Sequence, residues 1–171
     1  MAIALQVEIR DDVSAALTRA AAAAIDLTPA MRDIAGHLAD ATRERFETGR
    51  SPTGMPWKPS RRAEEEGGKT LVDRGDLLSS ITEDWGKDYA AAGPEASGGA
   101  AIYAAIHQFG GEIRPRTAGA LSFGGRLVSR VVMPARPYLG FTDEDADYAV
   151  AALADHLQAA IGGAGTGETA A

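Results

Sequence analysis

The segment that decides the fold is Tyr103-Ala104-Ala105-Ile106-His107-Gln108-Phe109-Gly110-Gly111, a short apolar stretch that ends on two glycines. Its large side chains recur every three residues, which is the spacing of one face of a helix. The pattern predicts a helical turn that ends at the glycine pair and directs Tyr103, Ile106 and Phe109 toward the core. The two residues between Ile106 and Phe109 bring polar atoms next to that face.

A second segment, Met133-Pro134-Ala135-Arg136-Pro137-Tyr138-Leu139-Gly140, has the composition of a rigid loop. Each proline fixes its own φ angle, and Arg136 is held in an extended conformation because a proline follows it. We expect the fold to be built around these two segments and the function to lie on the surfaces that they support.

The size and composition of the chain indicate one domain that folds without cross-links. A chain of 171 residues buries about 70% of its unfolded surface, which is enough for an independent core. There is no cysteine, which excludes disulfides, thiolate zinc sites and cysteine nucleophiles and fits a reducing compartment.

The net charge of −7 argues against a general grip on nucleic-acid phosphates. Five arginines nevertheless concentrate in one region, where a solvated hairpin is the favoured interpretation and a nucleic-acid-binding module the weaker one. No apolar run approaches the ~20 residues that span a bilayer, and no basic segment precedes an apolar one at the N-terminus. We therefore expect a soluble protein made in the cytoplasm. The arginines are Arg114, Arg116, Arg126, Arg130 and Arg136.

The first third of the chain predicts a strand and two helices. Residues Ile3 to Ile9 alternate between apolar and polar, which is typical of a half-buried strand. A helix follows from Val13 to Ile25, and a second, of about five turns, begins with Thr28 as its cap and a proline at its first position. His37 falls on the polar face of this second helix and is expected to be a surface residue. The predicted apolar sides consist of Val13, Leu17, Ala20 and Ala24 in the first helix and of Met31, Ile34, Leu38, Ala41, Arg45 and Phe46 in the second.

A loop rich in glycine and proline runs from Thr48 to Ser60. Trp57 is its one large apolar residue, and it either contacts a partner or, as we favour, pins the loop to the domain. The charged stretch from Ser60 to Gly68 is expected to be a short helix or partly disordered. Gly75 then provides the conformation for a tight turn into a short helix, with either Asp73 or Asp76 near the helix start.

Two strands and a hairpin are predicted in the second half. Residues 81 to 92 have a strand-like pattern that Gly93-Pro94 ends, and a short strand from Ala100 to Ile102 feeds the Tyr103 segment. The hairpin joins Ala120–Phe123 to Arg126–Val132 through two glycines, which accept the positive φ angles of a two-residue turn. Its inner face is expected to contain Val128, with either Val131 or Val132.

The chain is predicted to end in a long helix and a tail. The segment from Thr142 to Asp145 has the spacing of a capping box, and the acidic first turn suits the positive end of the helix dipole. We predict an α+β fold with a single domain, in which an antiparallel sheet with a β-hairpin is packed by two or three helices. This domain spans 1–161, and 162–171 form a disordered C-terminal tail. The apolar stripe of the last helix is Ala146, Val150, Leu153, Leu157 and Ile161.

The sequence offers little for catalysis. No spacing of histidines fits a metal site, and there is no phosphate-binding glycine loop or nucleophile elbow, so we expect no catalytic, metal or cofactor-binding residues. His107 is the best candidate for a general base, with Glu112 or Asp73 to orient it, as in a small hydrolase-like domain. The favoured alternative is structural, with His107 and Gln108 hydrogen-bonded to backbone groups at a buried turn.

Four motifs occur in a fixed order between residues 30 and 160, and together they resemble the phage virion morphogenesis family, with its Mu-type and tail-completion proteins. The first is Pro52-x-Gly54-x-x-Trp57, and the second is Leu71-Val72-Asp73-x-Gly75-x-Leu77 with Ser80-Ile81. The third and fourth are the two segments described above, Tyr103 to Gly110 and Pro134 to Gly140.

The resemblance implies a structural virion protein of a tailed phage, prophage or gene transfer agent, not an enzyme. Its relatives act in tail completion or head–tail joining, at the neck or the tail terminator. They form rings, commonly hexamers, that DNA passes through without specific binding. The implied partners are other copies of the chain and neck, head-completion or tail-tube proteins, with no membrane, in the virion and in the host cytoplasm during assembly. Each ring subunit needs two different surfaces that meet head to tail.

The resemblance also implies scaffold roles for its motif residues. Tyr103, Ile106, Phe109, Tyr138 and Leu139 would pack where the two segments meet, and Arg136 would form an ion pair or bonds to carbonyls. Partner contacts would fall on the Gly49–Pro59 loop, the Arg114–Arg130 hairpin and the C-terminal helix. The full set of motif residues is Trp57, Gly75, Tyr103, His107, Gln108, Phe109, Gly110, Pro134, Arg136, Pro137, Tyr138 and Leu139.

Overall fold

The computed structural model describes residues 12–97, 99–115, 119–123 and 125–162 as an α+β fold with a single domain, as predicted. The sheet is divided into three two-stranded antiparallel sheets, in which β1 pairs with β2, β3 with β6 and β4 with β5. The helices are α1 (Asp12–Ile25), α2 (Thr28–Thr48), α3 (Arg61–Glu66), α4 (Asp76–Ser79), α5 (Ala101–Phe109) and α6 (Asp143–Gly162). The strands are β1 (Ile81–Trp85), β2 (Ala90–Pro94), β3 (Gly111–Ile113), β4 (Leu121–Phe123), β5 (Arg126–Val128) and β6 (Val131–Met133).

Helix α2 is the centre of the fold, because it packs against β1, β2 and α6. Three buried alanines, Ala30, Ala35 and Ala39, let these neighbours approach closely, and Ile34 and Phe46 fill the space beside them. The helix does not begin as predicted. Thr28 is its first residue, and the carboxylate of Asp26 accepts the bonds of the Thr28 amide at 3.1 Å and hydroxyl at 2.6 Å.

The long strand predicted from residue 81 to 92 is a hairpin. Strand β1 ends at Trp85, and β2 returns as far as Pro94, which pairs with Ile81 at the open end. Proline is tolerated there because the terminal position of an edge strand needs no further amide donor. The short strand predicted from Ala100 to Ile102 is wrong, since α5 begins at Ala101. Those small and apolar residues continue the helical spacing of the Tyr103 segment.

The strand predicted from Arg126 to Val132 is two strands. A bend at Ser129-Arg130 separates β5, which pairs with β4, from β6, which pairs with β3. The bend decides which valine is covered, because Val131 is buried and Val132 is exposed.

Helices α1 and α6 pack on each other, but the sides that the periodicity predicted are only partly covered. Arg19 donates to the carbonyls of Ala160 and Ile161, and His156 contacts the carbonyl of Ala23. Val13, Leu17 and Ala24 of α1 are exposed, as are Val150 and Ile161 of α6. Periodicity identifies an apolar side, but it does not say whether that side is covered.

Some predictions lie outside the described residues. These are the strand from Ile3 to Ile9, the turn glycine Gly124 and the tail from residue 163 onward. The domain boundaries at 1–161 and 162–171 stay a prediction.

Candidate functional site

The two motif segments meet through the side chain of Gln108. Its Nε2 donates to the Leu139 carbonyl at 2.8 Å, and its Oε1 accepts from the amides of Tyr138 at 2.9 Å and Leu139 at 3.0 Å. A carboxamide carries both a donor and an acceptor, so this side chain bonds to the backbone N–H and C=O groups of the second segment as a neighbouring strand would. The second segment is thereby held against the end of α5.

Gly110 allows the close approach of these segments. Its φ of 69° lies in the left-handed region, and a Cβ there would lie 2.6 Å from the Ala135 nitrogen and 2.9 Å from the Met133 oxygen. Only glycine combines that conformation with that backbone contact. Gly75 has a φ of 87° directly before α4, as the predicted turn requires.

Arg136 connects the second segment to the loop before α3. Its side chain is buried, and it donates to the carbonyls of Lys58 at 2.7 Å and Pro59 at 3.2 Å, while its amide donates to the His107 carbonyl. Of the two predicted alternatives, carbonyl bonds are therefore found and an ion pair is not, within the described residues. Burial lowers the pKa of Arg136. Because it is buried, Arg136 does not belong to the basic surface formed by the other arginines of its region.

An aromatic cluster lies beneath this junction. Phe46 of α2 contacts Trp57 edge-on with ring centroids 5.6 Å apart and Tyr138 at 5.2 Å. The Trp57 indole donates to the Pro137 carbonyl at 2.8 Å, and the Tyr138 hydroxyl donates to the Ala104 carbonyl at 3.2 Å. Trp57 thus pins its loop to the domain, as favoured from the sequence. Burial raises the pKa of Tyr138.

Asp145 is a buried hub that the sequence interpretation missed. Its two oxygens contact His37 Nε2 at 2.9 Å and Arg45 Nη2 at 3.4 Å, and the Arg45 guanidinium also donates to the carbonyls of Tyr138 and Gly140. The capping box with Thr142 is confirmed, because the Asp145 carboxylate accepts the Thr142 amide at 2.8 Å. Burial opposes ionisation of Asp145, but the bonds from Thr142 and His37 and the charge of Arg45 outweigh it and lower its pKa.

The expectation that His37 is a surface residue is wrong. The His37 ring is half-buried and stacks on Tyr148 at 4.0 Å, with 7° between the planes. The sequence did contain a signal for the half-buried position of His37. His37 and Arg45 lie eight residues apart on one side of α2, and Asp145 is the last residue of a capping box. Nothing in the sequence brought the two elements together, however.

His107 lines an open groove of about 640 Å³ between the α3–α4 region and β6. Its Nδ1 is buried without a hydrogen-bond partner, and burial, aided by the nearby charge of Arg136, lowers its pKa. Asp73 lines the same groove but bonds to Arg62, while Glu112 bonds to Arg114 outside it. The predicted hydrogen bonds to backbone groups are therefore found for Gln108 but not for the side chain of His107. Neither Asp73 nor Glu112 orients the imidazole.

The remaining motif residues vary in burial. Tyr103 is half-buried and meets the His107 ring edge-on at 5.8 Å, and Ile106, Pro134 and Leu139 are also half-buried. The core position expected for Phe109 is wrong, because its side chain is 78% exposed at the last residue of α5. The scaffold role given to the motif residues as a set stays a prediction.

No group of three or more acidic or histidine side chains in the described part of the chain is arranged to hold a metal ion. Within the same ranges, no helix combines the length and apolarity needed to span a membrane.

Comparison with known proteins decides the family. Residues 10–158 match the phage virion morphogenesis family. The chain belongs to this family. It is 33% identical over 159 residues to the "Mu-like prophage FluMu G protein 2" of Haemophilus influenzae, which covers 93% of this chain and 99% of that protein. It is 37% identical over 120 residues to the "Putative capsid assembly protein G" of Escherichia phage Mu, which covers 64% of this chain and 65% of that protein. No solved structure matches the chain.

Family membership confirms the resemblance found in the motifs and supports a structural role in the assembly of a phage particle. The junction of the two segments is then best understood as a frame that holds surfaces in place. The polar side chains of Gln108 and Arg136 bond to backbone atoms there, which fixes the geometry of the domain.

Proposed function

We propose that this virion morphogenesis protein acts in tail completion or head–tail joining, as a ring-forming connector without catalytic activity. One observation carries the proposal. Large apolar side chains remain exposed on several separate elements around this frame. They are Val13, Leu17 and Ile25 on α1, Phe109, Ile113, Leu127 and Val132 on and beside the short strands, and Val150 and Ile161 on α6.

Exposed apolar surface of this kind marks sites of association. A ring needs two different surfaces on each subunit, because its contacts run head to tail. The short strands and α6 belong to different parts of the fold, and each has such a surface. The capsid-assembly name of the phage Mu relative is consistent with a role in particle assembly.

The loop from Gly49 to Pro59 provides a further contact for a neck, head-completion or tail-tube protein. The loop is ordered before any partner binds, because Ser51 and Met55 bond across it and Trp57 anchors its end. Met55 remains exposed at its surface. The contact expected for this loop therefore belongs to Met55 and not to Trp57.

The acidic character of the chain suits a channel that DNA passes through. A net charge of −7 repels phosphates and so disfavours specific or tight binding along the path of the genome. This part of the proposal predicts that the wild-type protein has no measurable affinity for duplex DNA at physiological salt.

The groove around His107 is the observation that favours a hydrolase-like alternative. Against it stand the lack of a carboxylate bonded to His107 within the described residues and the use of the nearby Ser60 hydroxyl as the cap of α3. The variant His107→Gln separates the two hypotheses in a phage whose own copy of the gene is deleted. A connector restores infectious particles with this variant, whereas an enzyme that depends on His107 does not.

The position in the particle is tested by electron microscopy of the same deletion. We expect full-length tails and filled heads that fail to join, and a ring of added density at the junction when the protein is supplied. Particles that join normally without the protein, or density located elsewhere in the virion, would contradict the proposal.

A further inference from the structure

The short strands form an arm in which β4 and β5 make their main contacts with each other, while β3 and β6 connect them to the rest of the domain, where Val131 is buried. We define the arm as the described residues 111–115, 119–123 and 125–133, which contain β3 to β6. Each of its strands has three residues. Two-stranded ribbons of this length are marginal in water and gain order from a surface that covers them.

The arm is both apolar and basic on its outside. Leu127 is 78% exposed and Val132 is 66% exposed. The described residues of the arm include three arginines and one glutamate, and that glutamate, Glu112, contacts Arg114 and Arg130. Arg126 has no ion-pair partner within the described ranges, so the arm presents excess positive charge beside its apolar side chains.

The outer face of α6 has the opposite charge. The helix carries five carboxylates and no lysine or arginine, and Asp145 is the one of them that is paired among the described residues. Asp147, Val150, Ala154 and Ile161 are spaced by three, four and seven residues, which places them on one side of the helix, and Asp155 is exposed next to this side. Val150 and Ile161 are exposed there, so this outer face is acidic and apolar.

We propose that the arm of one copy docks on the outer face of α6 in the next copy, an inference that rests on the ring-forming role proposed above. Leu127 and Val132 cover Val150 and Ile161, while the arginines of the arm face the free carboxylates of α6. Opposite charges steer the two surfaces together and fix their register.

The charges also select the symmetry of the contact. Two arms repel each other, and so do two α6 faces, which disfavours the pairing of identical surfaces in a two-fold dimer. An arm and an α6 face attract each other, which produces a head-to-tail contact that closes into a ring when the rotation per subunit permits.

Paired charge reversals test this docking. One variant reverses the arm, Arg126→Glu with Arg130→Glu, and a second reverses α6, Asp147→Arg with Asp155→Arg. Each variant alone is expected to lose the assembly that the wild type forms in sedimentation velocity, because its two surfaces have like charges. An equimolar mixture is expected to recover it, because each surface then meets an opposite charge on the other variant. All four side chains are exposed, so thermal melting should remain close to that of the wild type.

The control is Lys69→Glu with Arg74→Glu, which makes the same change in net charge as the arm variant on exposed residues outside both surfaces. It should assemble as the wild type does. The docking is overturned if either variant assembles alone or if the mixture stays monomeric. Both outcomes leave open a ring of the wild-type protein through other surfaces. An arm variant that changes only salt-dependent binding to duplex DNA also overturns it, since the arm then contacts phosphates. If the wild-type protein does not assemble, either alone or with virion partners, the ring-forming role itself is contradicted.

Discussion

At the scale of single residues, the protein depends on a few polar side chains that bond to groups far away in the sequence. Gln108, Arg136 and Asp145 each join two elements, and each is bonded through more than one atom. The resemblance to the family implied carbonyl bonds as one of two alternatives for Arg136. The pair of Asp145 and His37 was missed because 108 residues separate them, and no local pattern encodes such a contact.

Replacement of Gln108 tests the junction directly. Gln108→Ala leaves the amides of Tyr138 and Leu139 and the Leu139 carbonyl without this partner, and we expect a loss of about 2–3 kcal/mol in the free energy of unfolding. Gln108→Glu keeps the shape but replaces the Nε2 donor by an oxygen, so it should also destabilise. Urea denaturation measures both, and Gln158→Ala on the exposed face of α6 is the control. A change below about 0.5 kcal/mol in Gln108→Ala would contradict the role of this side chain.

Asp145 makes stability depend on pH. Its pKa in the folded protein lies below the ordinary value of 3.8, so its contribution is complete above pH 3.8 and is lost as the pH falls through the folded value. Asp145→Asn should cost about 3 kcal/mol near neutral pH, because it leaves Arg45 without its carboxylate. The difference between wild type and variant should shrink as the pH falls below 3.8. Thermal melts from pH 7 to pH 3 measure this, and a difference that stays constant would contradict the assignment.

At the scale of elements, the periodicity of the sequence predicted where the helices lie better than it predicted which of their sides are buried. The amphipathic pattern of α2 and the capping box of α6 are local features, and the structure has both where expected. The sides of α1 and α6 that face water could not be predicted, since exposed apolar residues can follow the same period as those in a core. The strand expected at Ala100 was wrong because three residues are too few for a period to distinguish strand from helix.

The end of α5 offers a test at this scale. Gly110→Ala forces a side chain into the left-handed region and against the backbone of Ala135, so we expect a loss of at least about 2 kcal/mol. Gly93→Ala is the matched control, because no atom lies within 4 Å of a Cβ built there. Denaturation of both variants measures the difference. Equal stabilities would show that the close approach at Gly110 is not required.

At the scale of the whole molecule, the motifs predicted the family and the fold class, and the contact surfaces that the resemblance implies stay a prediction. Four motifs in order are a property of the sequence itself, and the match over residues 10–158 confirms what they indicated. An apolar residue in an interface looks the same in sequence as one in a core. Phe109 shows this, because it was expected inside and is exposed beside the arm.

The central claim is that this frame presents its apolar surfaces for assembly into a ring. The most direct test is the particle mass across a concentration series, measured by light scattering coupled to size exclusion. We expect the mass to rise with concentration toward a closed ring of about six subunits, without larger aggregates, because head-to-tail contacts stop growing once the ring closes. A constant monomer mass at the highest concentration, both alone and with tail-tube protein added, would contradict it.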